Sequence, residues 1–337
     1  MPTNRRFLLV RRPMGLPTSE DFRLAAEPIP GLREGEFLVR NHFASLDPAI
    51  RGWMDDAPSY LPPIKLGDPV RSRTVGTIVE SRNPDFPAGR WVSGRNAIED
   101  YSVRRAGDLI HLIDENALPS LTNYLSALGT PGLTAYFALL EAGQPKAGET
   151  VLVTGAAGAV GSLVGQIAKM KGCRTIGIAG GPEKCNRLLR YYGYDQAIDY
   201  RGKSSSELFD AIRAAAPNGI DVHFENVGGE ILDAALLALN DRARVVLCGL
   251  ISQYNSEPNP VRNAWQLIVK GARIQGFMLK HYTSRTGEAN RDMSAWLQQG
   301  KLRVDEHIEE GIENALPAFL RLFKGTNTGK MILKLAC

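Results

Sequence analysis

The stretch that most limits what this chain can fold into is residues 150–172. Thr150 to Thr154 reads TVLVT, an unbroken apolar run of the kind found in a strand covered on both faces. It leads straight into Gly155-Ala156-Ala157-Gly158-Ala159-Val160-Gly161. Val160, Leu163, Val164, Ile167 and Met170 then recur at helical spacing, and Gly172 closes the helix. A strand, a glycine turn and a helix in that order open a βαβ unit, and the pattern repeats. Strands are expected at residues 175–179, 221–225, 244–248 and 273–277. Helices are expected at 206–216, where Ser204 and Glu207 form a capping box, and at 231–239. This alternation predicts an α/β region built on a doubly wound parallel sheet.

The chain before about residue 125 has another texture. Short alternating runs such as Phe37-Leu38-Val39-Arg40-Asn41 and Val75-Gly76-Thr77-Ile78-Val79-Glu80 are separated by turn formers such as Gly67-Asp68-Pro69. That half reads as a mainly β, barrel-like domain. Thr130-Pro131 marks a helix start, and the tail Met331-Ile332-Leu333-Lys334-Leu335 reads as a strand returning to the first domain. At 337 residues the chain exceeds the size at which one core stops growing, so two domains are expected.

The turn carries chemistry. Set against a G-x-G-x-x-G pattern it has Ala156 in the first slot and Gly158 and Gly161 in the others. Gly158 lets a pyrophosphate approach the backbone, Gly161 lets the helix pack on the strand, and the helix start offers N–H groups to phosphates. Small residues at such a turn also serve packing alone, but this strand-to-helix context favours dinucleotide binding. An NAD site places Asp or Glu at the end of the second strand. Here that place reads Ile178-Ala179-Gly180-Gly181-Pro182-Glu183-Lys184, with small residues at the strand end and Lys184 and Arg187 just beyond. A missing acid and a nearby base favour a 2′-phosphate, and so NADPH. The alternative is that Lys184 is a solvated charge at a helix start.

Several classes of function receive no support. The 40 basic and 36 acidic residues leave a net charge of +4, scattered rather than massed, which argues against nucleic acid or a membrane surface as partner. The opening MPTNRRFLLVRRP has too short an apolar stretch for a secretory signal, and no run reaches bilayer-spanning length. Cys173, Cys185, Cys248 and Cys337 show no CxxC spacing and no clustering with His. A soluble protein of the reducing cytoplasm is expected.

Five stretches carry a family likeness: Leu128-Gly129-Thr130-Pro131-Gly132-Leu133-Thr134-Ala135-Tyr136, the turn at 156–161, Glu225-Asn226-Val227-Gly228-Gly229, Ile251-Ser252-Gln253-Tyr254-Asn255, and Gly325-Thr326-Asn327-Thr328-Gly329-Lys330. Together they resemble the medium-chain dehydrogenase/reductase superfamily, in its zinc-free branch of double-bond reductases acting on alkenals, prostaglandins and curcumin. The likeness runs over nearly the whole chain. It implies a GroES-like catalytic domain from 1–127 with 312–337, and a Rossmann domain at 128–311. It implies that Ala156, Ala157, Gly158, Ala159, Val160 and Gly161 form the cofactor turn and that Lys184 and Tyr200 contact the 2′-phosphate. Asn226 would lie along the cofactor and Asn327 near the nicotinamide. Tyr254 would face the substrate carbonyl, and Tyr60 would line the pocket unless it only packs a Pro-rich loop. A homodimer through the Rossmann sheet edge near residues 251–277 follows by the same analogy. The chain departs from the family at Asp47-Pro48-Ala49-Ile50-Arg51, where an aromatic often follows the Asp-Pro pair, so the pocket is expected to be reshaped there. Where zinc-containing relatives carry Cys and His, this chain reads Ser45-Leu46-Asp47 and Arg71-Ser72-Arg73, and no catalytic metal is expected.

Without a metal to polarise a carbonyl, simple alcohol oxidation loses its Lewis acid. Reducing a C=C conjugated to a carbonyl asks for less: hydride attacks the β-carbon and charge develops on the distant oxygen. The Tyr254 phenol, a donor at neutral pH, would stabilise that oxygen by about 3–4 kcal/mol on the scale of oxyanion donors. The bland alternative for Tyr254 is a packing residue at the sheet edge. A quinone reductase, or an NADPH-binding protein without turnover, are the competing functions.

Overall fold

The computed structural model describes residues 3–335; Met1, Pro2, Ala336 and Cys337 lie outside the described residues. The alternating runs of the N-terminal part become β1 (Thr3–Leu9), β2 (Phe22–Pro28), β3 (Glu36–Ser45), β4 (Arg71–Ser81), β5 (Trp91–Ala97), β6 (Tyr101–Arg105) and β7 (Ile110–Leu112), with the single turn α1 (Ile50–Trp53) after β3. Next come α2 (Thr130–Phe137), β8 (Thr150–Thr154), α3 (Gly161–Met170), β9 (Arg174–Ala179), α4 (Pro182–Arg190), β10 (Gln196–Asp199) and α5 (Ser205–Ala215). They are followed by β11 (Ile220–Glu225), α6 (Gly229–Leu237), β12 (Leu239–Leu247), α7 (Trp265–Val269), β13 (Arg273–Gly276) and α8 (Thr286–Gln298). The strands β14 (Glu306–Glu310) and β15 (Lys330–Lys334) flank α9 (Ala315–Lys324).

The chain divides into two compact units. One takes in the chain up to Leu125 and the part from Glu306 onward; the other is Ser126–Asp305. In the first unit the sheet runs β14-β15-β3-β4-β5-β7, with β6 also on β3 and β1-β2 as a separate antiparallel ladder. The tail strand β15 pairs antiparallel with β3, opposing Leu333 to Ala44. Its Met331 and Leu333 enter the same core as Leu9, Leu46, Ile50 and Met54, with Phe319 of α9.

In the second unit the order is β10-β9-β8-β11-β12-β13, every neighbour parallel. Counted within the unit this is 3-2-1-4-5-6, the doubly wound order whose switch point lies between its first and fourth strands. All of β8 is buried, as its uninterrupted apolar sequence requires. The capping box at α5 is present: Glu207 N–H donates to Ser204 Oγ and Ser204 N–H to Glu207 Oε2 at 2.8 Å. The helix expected to reach residue 239 ends at Leu237. Ala238 O accepts from Ile220 N–H at 3.0 Å, which draws the chain into the sheet, and Leu239 opens β12 beside Ile220. Among the described residues no helix is long and apolar enough to cross a membrane.

Candidate active site

Three groups of side chains gather at the C-terminal edge of the parallel sheet, where ligands bind in open α/β sheets. The first is the glycine turn. Gly155 has φ +57° and makes the tight bend out of β8, a role the sequence pattern, aligned from residue 156, assigned to no residue. Ala156 and Ala157 are buried. The Ala156 N–H donates to Ile178 O at 3.0 Å, tying the turn to β9, and that of Gly158 to Gly155 O at 2.9 Å, closing the turn itself. A Cβ on Gly161 would stand 2.5 Å from Gly155 O and 2.7 Å from the Ala156 Cα, contacts real side chains never make. Gly161 therefore lets α3 start directly against the strand end. Ala159 and Val160 form the partly exposed lip above it. The seat is locked from below by Tyr194, which donates to Gly161 O at 2.6 Å, its ring in the space that Gly165 leaves empty.

The second group lies at the end of β9. Gly180 and Gly181 leave a shallow floor; a Cβ on Gly180 would be 3.0 Å from the Tyr200 ring and 3.1 Å from Arg201 Nε. Lys184, in the first turn of α4, shares this place. Burial, and then the neighbouring Arg201 charge, push its ammonium below the ordinary lysine range. The loop is held by Asp199, whose Oδ1 accepts from Gly181 N–H at 2.7 Å and Arg201 N–H at 3.0 Å. Arg187, the other base beyond the strand, is committed to Asp305 and stacks on Tyr191. Lys184 and Arg201 form no ion pair with any described carboxylate, and Arg201 Nε lies against the two-glycine floor. Glycine seat, helix start and this pair of cations together fit the phosphates of a dinucleotide with a 2′-phosphate. Arg201 was not legible as a site residue because the short β10, with Ile198 its one buried side chain, gave it no frame.

The third group surrounds the ends of β11 and β12. Glu225 is fully buried, and burial alone would raise its pKa. Hydrogen bonds from His223, Thr154 and Gly228 hold it below the ordinary range instead. Its Oε1 accepts from Thr154 Oγ1 at 2.6 Å and from the N–H groups of Val227 at 2.5 Å and Gly228 at 2.9 Å. Asn226 is pinned on Thr154, its N–H donating to Oγ1 at 2.8 Å and its Nδ2 to the backbone oxygen at 2.7 Å. The loop after β12 docks on the same turn: Ile251 N–H donates to Asn226 O at 3.1 Å and Ser252 Oγ to Val227 O at 2.6 Å. Tyr254 follows. Its oxygen accepts from Leu250 N–H at 3.3 Å, which leaves the phenol proton to donate elsewhere. Burial raises its pKa, partly offset by that bond, so it stays protonated through neutral pH.

The remaining candidates belong to the other unit. Tyr60 stands edge-on to Trp53 with ring centroids 6.2 Å apart, beside the loop whose Pro62 O accepts from Arg71. Asn327 is buried before β15 and donates from Nδ2 to Gly329 O at 3.0 Å. Lys330, also buried, donates from Nζ to Leu46 O and Asp47 Oδ1, each at 2.7 Å, with Ser45 Oγ on the other Asp47 oxygen. Among the described residues no three His, Cys, Asp or Glu side chains are grouped to hold a metal ion.

Comparison with known proteins agrees with this architecture. Residues 5–112 match a family described as the N-terminal domain of oxidoreductase, and residues 159–297 one described as zinc-binding dehydrogenase. The NADPH-dependent curcumin reductase of Escherichia coli K12 is 42% identical over 99% of this chain and 97% of its own. Prostaglandin reductase 1 of Bos taurus is 39% identical over 95% and 96%. The chain belongs to the zinc-free double-bond reductase branch of the medium-chain dehydrogenases/reductases. The crystal structure of CurA from Vibrio vulnificus in complex with NADPH superposes with a TM-score of 0.92 at 41% identity, covering 99% of each chain. The mixed-sheet unit and the Rossmann unit described above are the two halves of that fold.

Proposed function

We propose that this protein reduces the carbon–carbon double bond of α,β-unsaturated ketones or aldehydes with NADPH. Gly158 and Gly161 would seat the pyrophosphate and Lys184 and Tyr200, with Arg201, the 2′-phosphate. Asn226 would lie along the cofactor and Asn327 at its nicotinamide end. When bound, the cofactor supplies hydride to the β-carbon of the enone. The observation that carries the reading is Tyr254: its oxygen is already an acceptor, its proton is uncommitted, and its loop is fastened to the Asn226 turn. Such a phenol donates to the substrate oxygen as enolate charge develops there, which is where a hydrogen bond lowers the barrier.

The test is NADPH oxidation with a panel of enals, enones, quinones and saturated aldehydes. Turnover confined to conjugated C=C substrates, with the saturated carbonyl as product, supports the reading. A preference for quinones replaces it with a quinone reductase, and no turnover on any acceptor leaves a binding protein. We further propose a homodimer through β13, an edge strand paired only with β12. Beside it Trp265 and Ile268 of α7 are 66% and 70% exposed, which an apolar partner face would cover. The free Cys173, Cys185 and Cys248 suit a reducing cytoplasm.

A further inference from the structure

The buried acid beside the Tyr254 loop has more partners than its helix needs. Glu225 ends β11, and its side chain and that of His223, two residues back on the same face, are both fully buried. One carboxylate oxygen, on the N–H groups of Val227 and Gly228, suffices to close the start of α6. The other accepts from His223 Nε2 at 2.8 Å. An ionised carboxylate only accepts, so the ring proton stands on Nε2. His223 Nδ1 is buried with no hydrogen-bond partner among the described residues, and a proton moved there would have nowhere to donate.

The carboxylate also orients Thr154. That hydroxyl gives its proton to Glu225 Oε1 at 2.6 Å, which turns a lone pair to the Asn226 N–H at 2.8 Å. The Glu225 backbone oxygen takes the N–H groups of Cys248 at 2.9 Å and Gly249 at 3.1 Å, and the Asn226 oxygen takes that of Ile251. Leu250 N–H, between them, goes to the Tyr254 oxygen. Burial, and then the Glu225 charge, push the Cys248 thiol up to about 12. The ends of β8 and β11, the start of α6 and the exit from β12 therefore meet on one acid.

We propose that Glu225, oriented by His223, is a positioning residue: it fixes the Asn226 turn and the loop docked on it, and so sets where the Tyr254 phenol stands. The proposal rests on the enone-reductase reading. Glu225 acts through Tyr254, since both its carboxylate oxygens are committed to protein groups. Glutamine in its place has one acceptor oxygen instead of two, and it offers its amide N–H groups to a ring nitrogen that already carries a proton.

The test compares E225Q, Y254F and the double variant, each saturated with NADPH and an enone. E225Q should lower kcat about tenfold, part of the roughly 10²-fold that a misplacement of about 1 Å can cost. Its NADPH affinity should stay close to native, because the glycine seat and Lys184 hold the phosphates. In the Y254F background the same change should cost almost nothing, because the group it positions is gone. H223L should match E225Q, and H223Q, whose amide can donate to the same oxygen, should recover most of the loss. If E225Q does not fold, T154V, which removes the hydroxyl between Glu225 and Asn226, takes its place in the cycle. Losses that multiply in the double variant, or a native kcat in E225Q, would overturn the proposal. Amide exchange reads the loop without turnover: the Ile251 and Ser252 N–H groups should exchange about tenfold faster in E225Q, the scale of one weakened hydrogen bond. If the native protein turns over no enone, the enone reading falls by itself. Faster exchange at Ile251 and Ser252 then retains Glu225 as the residue that positions the loop, and unchanged exchange discards it.

Discussion

Replacing Lys184 with Ala should weaken NADPH without touching NADH. Tyr200 and Arg201 lie against the Gly180–Gly181 floor, and the Lys184 ammonium, in the first turn of α4, has its pKa depressed by burial and by the neighbouring Arg201 charge. A 2′-phosphate would relieve that repulsion and accept a charge-assisted hydrogen bond, worth about 1.5–3 kcal/mol at a partly buried site. Losing it corresponds to a roughly 10- to 150-fold rise in Kd for NADPH. Arg201 is solvent-exposed, so R201A should cost less and its effect should shrink with added salt. NADH has no phosphate there, and both variants should bind it as the native protein does. Titration of both cofactors against cofactor fluorescence gives the four constants needed. Equal losses for NADPH and NADH would show that Lys184 supports the turn rather than reading the phosphate.

Tyr254→Phe should lower kcat and kcat/KM on an enone together by roughly 10²-fold, since it removes a donor used mainly in the transition state. Because burial raises the phenol pKa, the native enzyme should lose no activity to its ionisation until above pH ~10; unchanged kcat with hydride transfer rate-limiting would make Tyr254 a packing residue. Gly161→Ala drives a methyl into Gly155 O and the Ala156 Cα, costing about 1–3 kcal/mol as overpacking. A lowered Tm with NADPH and NADH weakened alike is expected, and retention of both affinities would refute the seat. Light scattering should give twice the chain mass of 36.8 kDa, and W265E should shift it toward the monomer; a native monomer would remove the dimer proposal.

The second unit was legible where the physics is local. An apolar run followed by small residues and a helical stripe is short-range information, and β8, its turn and α3 follow from it. The same holds for the α5 capping box, whose partners are three residues apart. What failed was β10, four residues long with Ile198 alone buried, because it has too few positions to show a period. The end of α6 was misplaced for another reason. Its apolar run continues into β12 without a breaker, and only the bond from Ile220 to Ala238, a contact between distant segments, decides where helix gives way to strand.

The candidate site divides along the same line. Gly158, Gly161 and Lys184 announce themselves because phosphate recognition is built from one turn and one strand end. Arg201 acquires meaning only once β10 lies beside β9 and brings it over Gly180. The role of Glu225 is more distant still. In sequence it is the acid that ends a strand, and His223 is one of several scattered histidines. Its bonds to Val227 and Gly228 are local and read as an ordinary helix start. Those that tie it to Thr154 and to the exit of β12 exist only because the sheet order sets β11 between β8 and β12.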